Sequence, residues 1–173
     1  MIHQGLAASR AIGAELRGWY MALLAEAYGK AGQPQEGLSL LAETLEMAHR
    51  TGERCHEAEL YRLKGQLTLQ QFHVSGSTFQ VTTPSVLSTP HLAPSTQAEA
   101  DAEAWFLKAV DIARQQQAKS LELRAVLSLS RLWQQQGRKA EARQALAEIY
   151  SWFTEGFTTK DLQEAKALLA ELA

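Results

Sequence analysis

Met21-Ala22-Leu23-Leu24-Ala25-Glu26-Ala27-Tyr28-Gly29-Lys30-Ala31-Gly32-Gln33-Pro34-Gln35-Glu36-Gly37-Leu38-Ser39-Leu40-Leu41 is the stretch whose reading decides the fold. A helical pattern of apolar residues ends at Gly32, Pro34 sits where the first turn of a new helix accepts it, and a second pattern follows. The same turn recurs at Gly137, 105 residues later. Leu41, Phe106 and Leu146 fall at one equivalent position, and Gly37, Ala102 and Ala142 fall four residues before them. The step from Ala102 to Ala142 is 40 residues; from Gly37 to Ala102 it is 65, one period of 40 with an insert of 25. A fixed period of this length predicts stacked helical hairpins and moves the functional question from a catalytic pocket toward a binding surface.

Working outward, the spacing predicts helices over about 2–12, 14–30, 34–50, 54–71, 98–117, 119–136, 139–153 and 161–172. For the last, Thr158 with Asp161 or Asp161 with Glu164 offers an N-terminal box. Between the fourth and fifth patterns the composition changes. Phe72 to Gln97 contains no Asp, Glu, Lys or Arg, ten Ser or Thr, and Pro84, Pro90 and Pro94. That stretch reads as a mobile surface loop inside one hairpin. Its β-branched run Phe79-Gln80-Val81-Thr82-Thr83 is the one segment compatible with a short strand.

The period assigns roles. Ala25, Gly65 and Ser130 stand where the first helix of each hairpin crosses the second, facing Gly37, Ala102 and Ala142. Small side chains on both sides let two backbones approach, while bulky residues fill the space between hairpins. The first unit reads Met21, Leu24-Ala25, Tyr28, then Gly37-x-x-x-Leu41. The second reads Tyr61, Lys64-Gly65, Thr68, then Ala102-x-x-x-Phe106 and Ala109. The third reads Val126, Leu129-Ser130, Trp133, then Ala142-x-x-x-Leu146. This pattern resembles the tetratricopeptide-repeat superfamily in a 40-residue form. The resemblance implies an all-α right-handed superhelix of antiparallel hairpins with seven to eight helices. Its parts would be a half repeat at 1–13, repeats at 14–52, 53–118 (with the insert 72–97) and 119–157, and a capping helix at 158–173.

A narrower resemblance covers nearly all of the chain outside the insert. Leu23 to Pro34, Glu59-Leu60-Tyr61-Arg62-Leu63-Lys64-Gly65, Lys119-Ser120-Leu121-Glu122-Leu123-Arg124-Ala125 and Tyr150-Ser151-Trp152-Phe153-Thr154-Glu155-Gly156-Phe157 carry it. They resemble the C-terminal repeat region of large bacterial signalling ATPases, in which a cyclase or winged-helix domain and a nucleotide-binding domain precede the repeats. None of those catalytic parts lies in these 173 residues. Ala8, Ala48 and Ala113 are equivalent, so the array begins halfway through a repeat. That start implies a piece of a longer chain, or a face completed by a partner or by a second copy of this chain.

Chemistry is sparse. A net charge of −2 and scattered Lys and Arg give no footprint for nucleic acid or an anionic membrane. No apolar run reaches the roughly 20 residues of a membrane span, and the N-terminus has no signal-peptide pattern. One cysteine, Cys55, cannot form an internal disulfide, which points to a cytoplasmic protein. His49, Cys55 and His56 lie near Glu53, Glu57 and Glu59, but no metal-ligand spacing connects them across the helix break, so they read as surface residues at a turn, and no phosphate loop or nucleophile motif occurs. The chain reads as a non-enzyme without metal or cofactor. Cys55 reads as helix packing, the carboxylates as a solvated face, and Trp19, Trp105, Trp133 and Trp152 as core.

The resemblance places the first helix of each hairpin on a concave groove. Carried onto this chain, the groove residues are Trp19, Glu26 and Lys30, then Glu59, Arg62 and Gln66, then Arg124, Arg131 and Gln135. The groove is mixed, tending to basic at the third hairpin, and suits a protein or peptide held by arginine hydrogen bonds. Chaperone-tail recognition is disfavoured, because Ala22 and Glu26 stand where its Lys and Asn are required. Two other roles stay open: an effector-sensing module, and a structural spacer that self-associates through the open N-terminal face.

Overall fold

The computed structural model describes residues 17–77 and 94–173, with side chains described over 17–73 and 97–173. Seven α-helices and no strand occur among the described residues: α1 (Arg17–Lys30), α2 (Pro34–Thr51), α3 (Glu57–Ser77), α4 (Pro94–Gln115), α5 (Lys119–Gln135), α6 (Lys139–Ser151) and α7 (Lys160–Glu171). The expected half repeat at 1–13 and the expected strand at 79–83 lie outside the described residues.

The crossings follow the small residues. A methyl group on Gly37 would lie 3.2 Å from the Ala25 carbonyl oxygen, and one on Gly65 3.1 Å from that of Ala102. At the third crossing Ser130 Oγ donates to the Ala142 carbonyl at 3.2 Å, so its small polar atom is satisfied where the other hairpins have none. Leu41, Phe106 and Leu146, one turn farther along, are at most 1% exposed. Burying each contributes about 2 kcal/mol. Tyr61 meets Trp105 and Lys108 whereas Gly65 meets Ala102, so α3 and α4 run antiparallel. Leu67 of α3 fills the notch left by Gly29 and Gly37 and ties the second hairpin to the first.

Each helix packs on its neighbour in the chain, and α1, α3, α5 and α7 also pack each on the next of that set. Among the described residues α2, α4 and α6 make no such contact with one another. One side of the molecule is therefore a continuous layer of odd-numbered helices.

Several expectations change. Within the stretch 72–97 expected as a loop, α3 continues through Ser77 and α4 begins at Pro94, and 78–93 lies outside the described residues. Pro94 occupies the first helical position, which needs no N–H, and the packing of α3 on α4 supports helix where local propensity is poor. Neither expected box starts α7. Thr159 precedes the helix with no side-chain cap bond, and its hydroxyl donates to the Gly156 carbonyl instead. Trp19 (46%) and Trp152 (58%) are exposed rather than core, while Trp105 and Trp133 are half-buried. Cys55 is exposed in the turn before α3, as the surface-turn reading expects and the helix-packing reading does not.

The ends of α2 and α4 differ in one instructive residue. Gly52 leaves α2 at φ 77°, and Gln117, 65 residues on, takes φ 55° after α4. Glycine adopts that left-handed conformation freely, whereas a β-carbon makes it costly for glutamine.

Candidate functional site

Three adjoining hollows run along the layer of odd-numbered helices. The first, of about 310 Å³, lies between α1 and α5 and has an apolar wall of Trp19, Ala22, Leu23 and Leu121. It shares Glu26 and Arg124 with a second hollow of about 260 Å³, lined mainly by charged and amide side chains. Arg131 and Glu164 connect that to a third of about 320 Å³, which ends at Gln135 and Glu171. Eight of the nine expected groove residues line this run: Trp19, Glu26, Glu59, Arg62, Gln66, Arg124, Arg131 and Gln135. Lys30 does not; it is exposed at the end of α1 and pairs with Glu26 at 2.8 Å.

The floor of the second hollow is an ion network between α3 and α5. Arg62 donates to both oxygens of Glu59, Nε to Oε2 at 2.9 Å and Nη2 to Oε1 at 2.8 Å. This planar two-point match suits a guanidinium. Arg62 Nη1 reaches Gln66 Oε1 at 3.0 Å and Ser128 Oγ at 3.4 Å, and Arg124 Nη2 meets Glu59 Oε1 at 2.9 Å. Burial pushes the Arg62 pKa down, but the hydrogen bonds and charge of Glu59 outweigh it and hold the guanidinium above its ordinary value. The Lys30 hydrogen bond keeps Glu26 below the usual carboxylate range, and the Arg131 hydrogen bond does the same for Glu164. These groups are ionised at neutral pH.

The groove does not tend to basic. The last helix, expected as a solvating cap, forms its fourth wall and supplies carboxylates. Glu164 pairs with Arg131 at 2.5 Å, and Asp161 approaches Arg124 at 3.9 Å. Arg62, Arg124, Arg131 and Lys160 are thus matched by Glu26, Glu59, Asp161 and Glu164. The sequence reading missed Lys160, Asp161 and Glu164 because they look locally like an ordinary helix start. Arg124 holds Glu59 at 2.9 Å but meets Asp161 only at 3.9 Å, and Lys160 meets Glu164 only at 3.7 Å, so these two cations keep capacity for an incoming carboxylate.

A second charged arrangement lies at the hairpin junctions, and it corrects the expectation of solvated carboxylates. Glu57, at the start of α3, is 1% exposed, and Glu122, at the start of α5, is 3% exposed. Arg54 donates to Glu57 through Nε (2.6 Å) and Nη2 (3.1 Å), and His49 Nε2 lies 2.9 Å from Glu57 Oε1. Arg114 Nε and Lys119 Nζ each donate to Glu122 at 2.7 Å. The three members match one for one at 65 residues: His49 with Arg114, Arg54 with Lys119, Glu57 with Glu122. Burial pushes both carboxyls up, and the hydrogen bonds outweigh it, leaving both below the ordinary value. At the next register position stands Leu162, buried and apolar. His49 and Glu57, grouped in the sequence with a candidate metal cluster, belong to this clamp. No group of three His, Cys, Asp or Glu suited to a metal ion occurs among the described residues. No described helix is long and apolar enough to cross a membrane.

Comparison with known proteins adds no name: no family model matches the chain, and no curated protein or solved structure matches it.

Proposed function

We propose that this chain is a non-catalytic interaction module that holds an extended peptide or a protein segment along the groove of α1, α3, α5 and α7. The observation that carries the reading is the continuity of the three hollows, each sharing two charged residues with the next. The Trp19, Leu23 and Leu121 wall suits one apolar anchor side chain, and exposed Trp19 (46%) and Leu23 (37%) gain most from being covered. Beyond the anchor, Gln66, Ser128 and Gln135 suit a peptide backbone, and Arg124 suits a ligand carboxylate. The layering of odd-numbered helices supports a right-handed tetratricopeptide-like superhelix with this groove on its concave side. The quoted repeat segments support a place in a multidomain bacterial signalling ATPase, where the module would respond to a partner in the cytoplasm.

The test is selection of a displayed random peptide library on the immobilised chain. Enriched peptides should share an aromatic or branched aliphatic residue beside a carboxylate. Trp19→Ala and Leu23→Asp should each weaken binding by about tenfold or more. A library that yields no enriched peptide, or peptides indifferent to both substitutions, contradicts the assignment.

A further inference from the structure

Away from the groove, the first two hairpins carry surfaces of opposite charge, the first hollow and the second filled by stacked rings. Between α1 and α2 lies a hollow of about 580 Å³ with Met21, Leu24, Tyr28 and Leu40 on its floor. Glu36 and Glu43 stand on its rim, both exposed, and neither has a basic partner among the described residues. The register that aligns the hairpins carries Met21 to Tyr61, Leu24 to Lys64, Leu40 to Trp105 and Glu43 to Lys108. In the second hairpin Tyr61 and Trp105 stack, centroids 5.7 Å apart and planes 17° from parallel. Lys64 Nζ lies 3.8 Å from the Trp105 centroid, and Lys108 Nζ 4.2 Å from that of Tyr61.

Those two ammonium groups have no carboxylate within ion-pair distance among the described residues. Asp101, at the register position of Glu36, accepts a hydrogen bond from Gln97 at 2.8 Å instead. Burial, and then the neighbouring Lys108, push the Lys64 pKa down. Ring faces compensate part of this like-charge pairing, but an external anion relieves more of it. Among the described residues the first hairpin offers the complementary defect: unpaired carboxylates around an uncovered apolar floor.

We propose that these two surfaces form a homodimer interface, in which Glu36 and Glu43 of one copy meet Lys64 and Lys108 of another around the apolar floor of the first hairpin. Glu43 and Lys108 share one register position and are both exposed, so the two charges open to the same side of the molecule. A two-fold axis between the hairpins sets the first of one copy over the second of its partner, and makes the same contact twice. Partners of opposite charge are steered together and wrong pairings are penalised. This surface is separate from the groove, so its failure leaves the peptide reading intact.

Sedimentation equilibrium of the 173-residue chain tests it. The wild type should show a concentration-dependent dimer that weakens with added salt. Glu43→Lys and Lys108→Glu, both at exposed rim positions, should each keep full helicity and weaken the dimer at least about tenfold, because each reversal creates two like-charge contacts. An equimolar mixture of the two variants should regain a dimer, as should the double variant. A wild type that stays monomeric, or single variants that dimerise normally, overturns the proposal. So does a monomer whose Lys64 and Lys108 bind inorganic phosphate, which assigns the lysines to a small anion. So does a monomer in which residues 1–16 protect the Leu40 amide from exchange, which assigns the cleft to the chain's own N-terminal segment.

Discussion

The junction clamps and the groove use the same chemistry to different ends. Each clamp closes over its carboxylate: Glu57 and Glu122 are all but sealed, and both side chains that hold each one come from the adjoining chain segment. The groove spreads its charges over four helices and leaves open volume beside them. A buried charged cluster is therefore no mark of function by itself. The clamp orients one hairpin on the next, whereas the groove, on the proposed function, presents its groups to a ligand. Breaking a clamp should cost stability and spare binding; breaking the groove should do the reverse.

The largest expected effect is on a clamp. Glu122→Ala leaves Arg114 and Lys119 without their buried partner. Both are partly exposed and can rehydrate, which places the loss at about 2 kcal/mol, or roughly 4–8 °C in Tm. Affinity for a selected peptide should hold in calorimetry below the transition, and an equal loss of affinity would erase the distinction. Acid sharpens the same point. Glu57 and Glu122 have folded pKa values below the ordinary one, so their contribution is complete above the ordinary carboxylate value and disappears as pH falls through the depressed one. Urea unfolding should show flat stability from neutral pH to about 5 and a decline below it. Glu122→Ala should decline less.

A groove substitution should behave oppositely. Arg124→Gln leaves Glu59 paired with Arg62, so stability should change by less than about 1 kcal/mol. Peptide affinity should fall about tenfold, as for the loss of one charge-assisted contact. The smallest effect lies in the connecting segments. Gln117→Gly relieves a left-handed glutamine and should stabilise by about 0.5–1 kcal/mol, while Gly52→Ala at the equivalent point should destabilise by a similar amount. Thermal unfolding reads both, and peptide binding should follow neither.

The hairpins were legible because a backbone crossing tolerates only small residues. Ala25, Gly65 and Ser130 carry that requirement in the sequence whatever surrounds them. The clamps were legible in principle: His49, Arg54 and Glu57 recur as Arg114, Lys119 and Glu122 once the register is applied to charged residues as well as apolar ones. The α7 wall was not legible, because Asp161 and Glu164 point to Arg124 and Arg131 only after the chain has turned back at Gly156. The ends of α3 and α4 were misread because composition reports local preference, while the packing of one helix on the other carries both into the 72–97 stretch. Trp19 was placed on the groove by the register and in the core by its hydrophobicity; its exposure sides with the register.

The most direct test of the groove as the contact surface is amide chemical-shift mapping of the labelled chain titrated with a selected peptide. The account predicts saturable shifts running from Trp19 and Leu23 through Glu26, Arg62 and Arg124 to Arg131 and Gln135, with Glu43 and Lys108 unmoved. Shifts confined to the surfaces around Glu43 and Lys108, or to the clamps around Glu57 and Glu122, would contradict it.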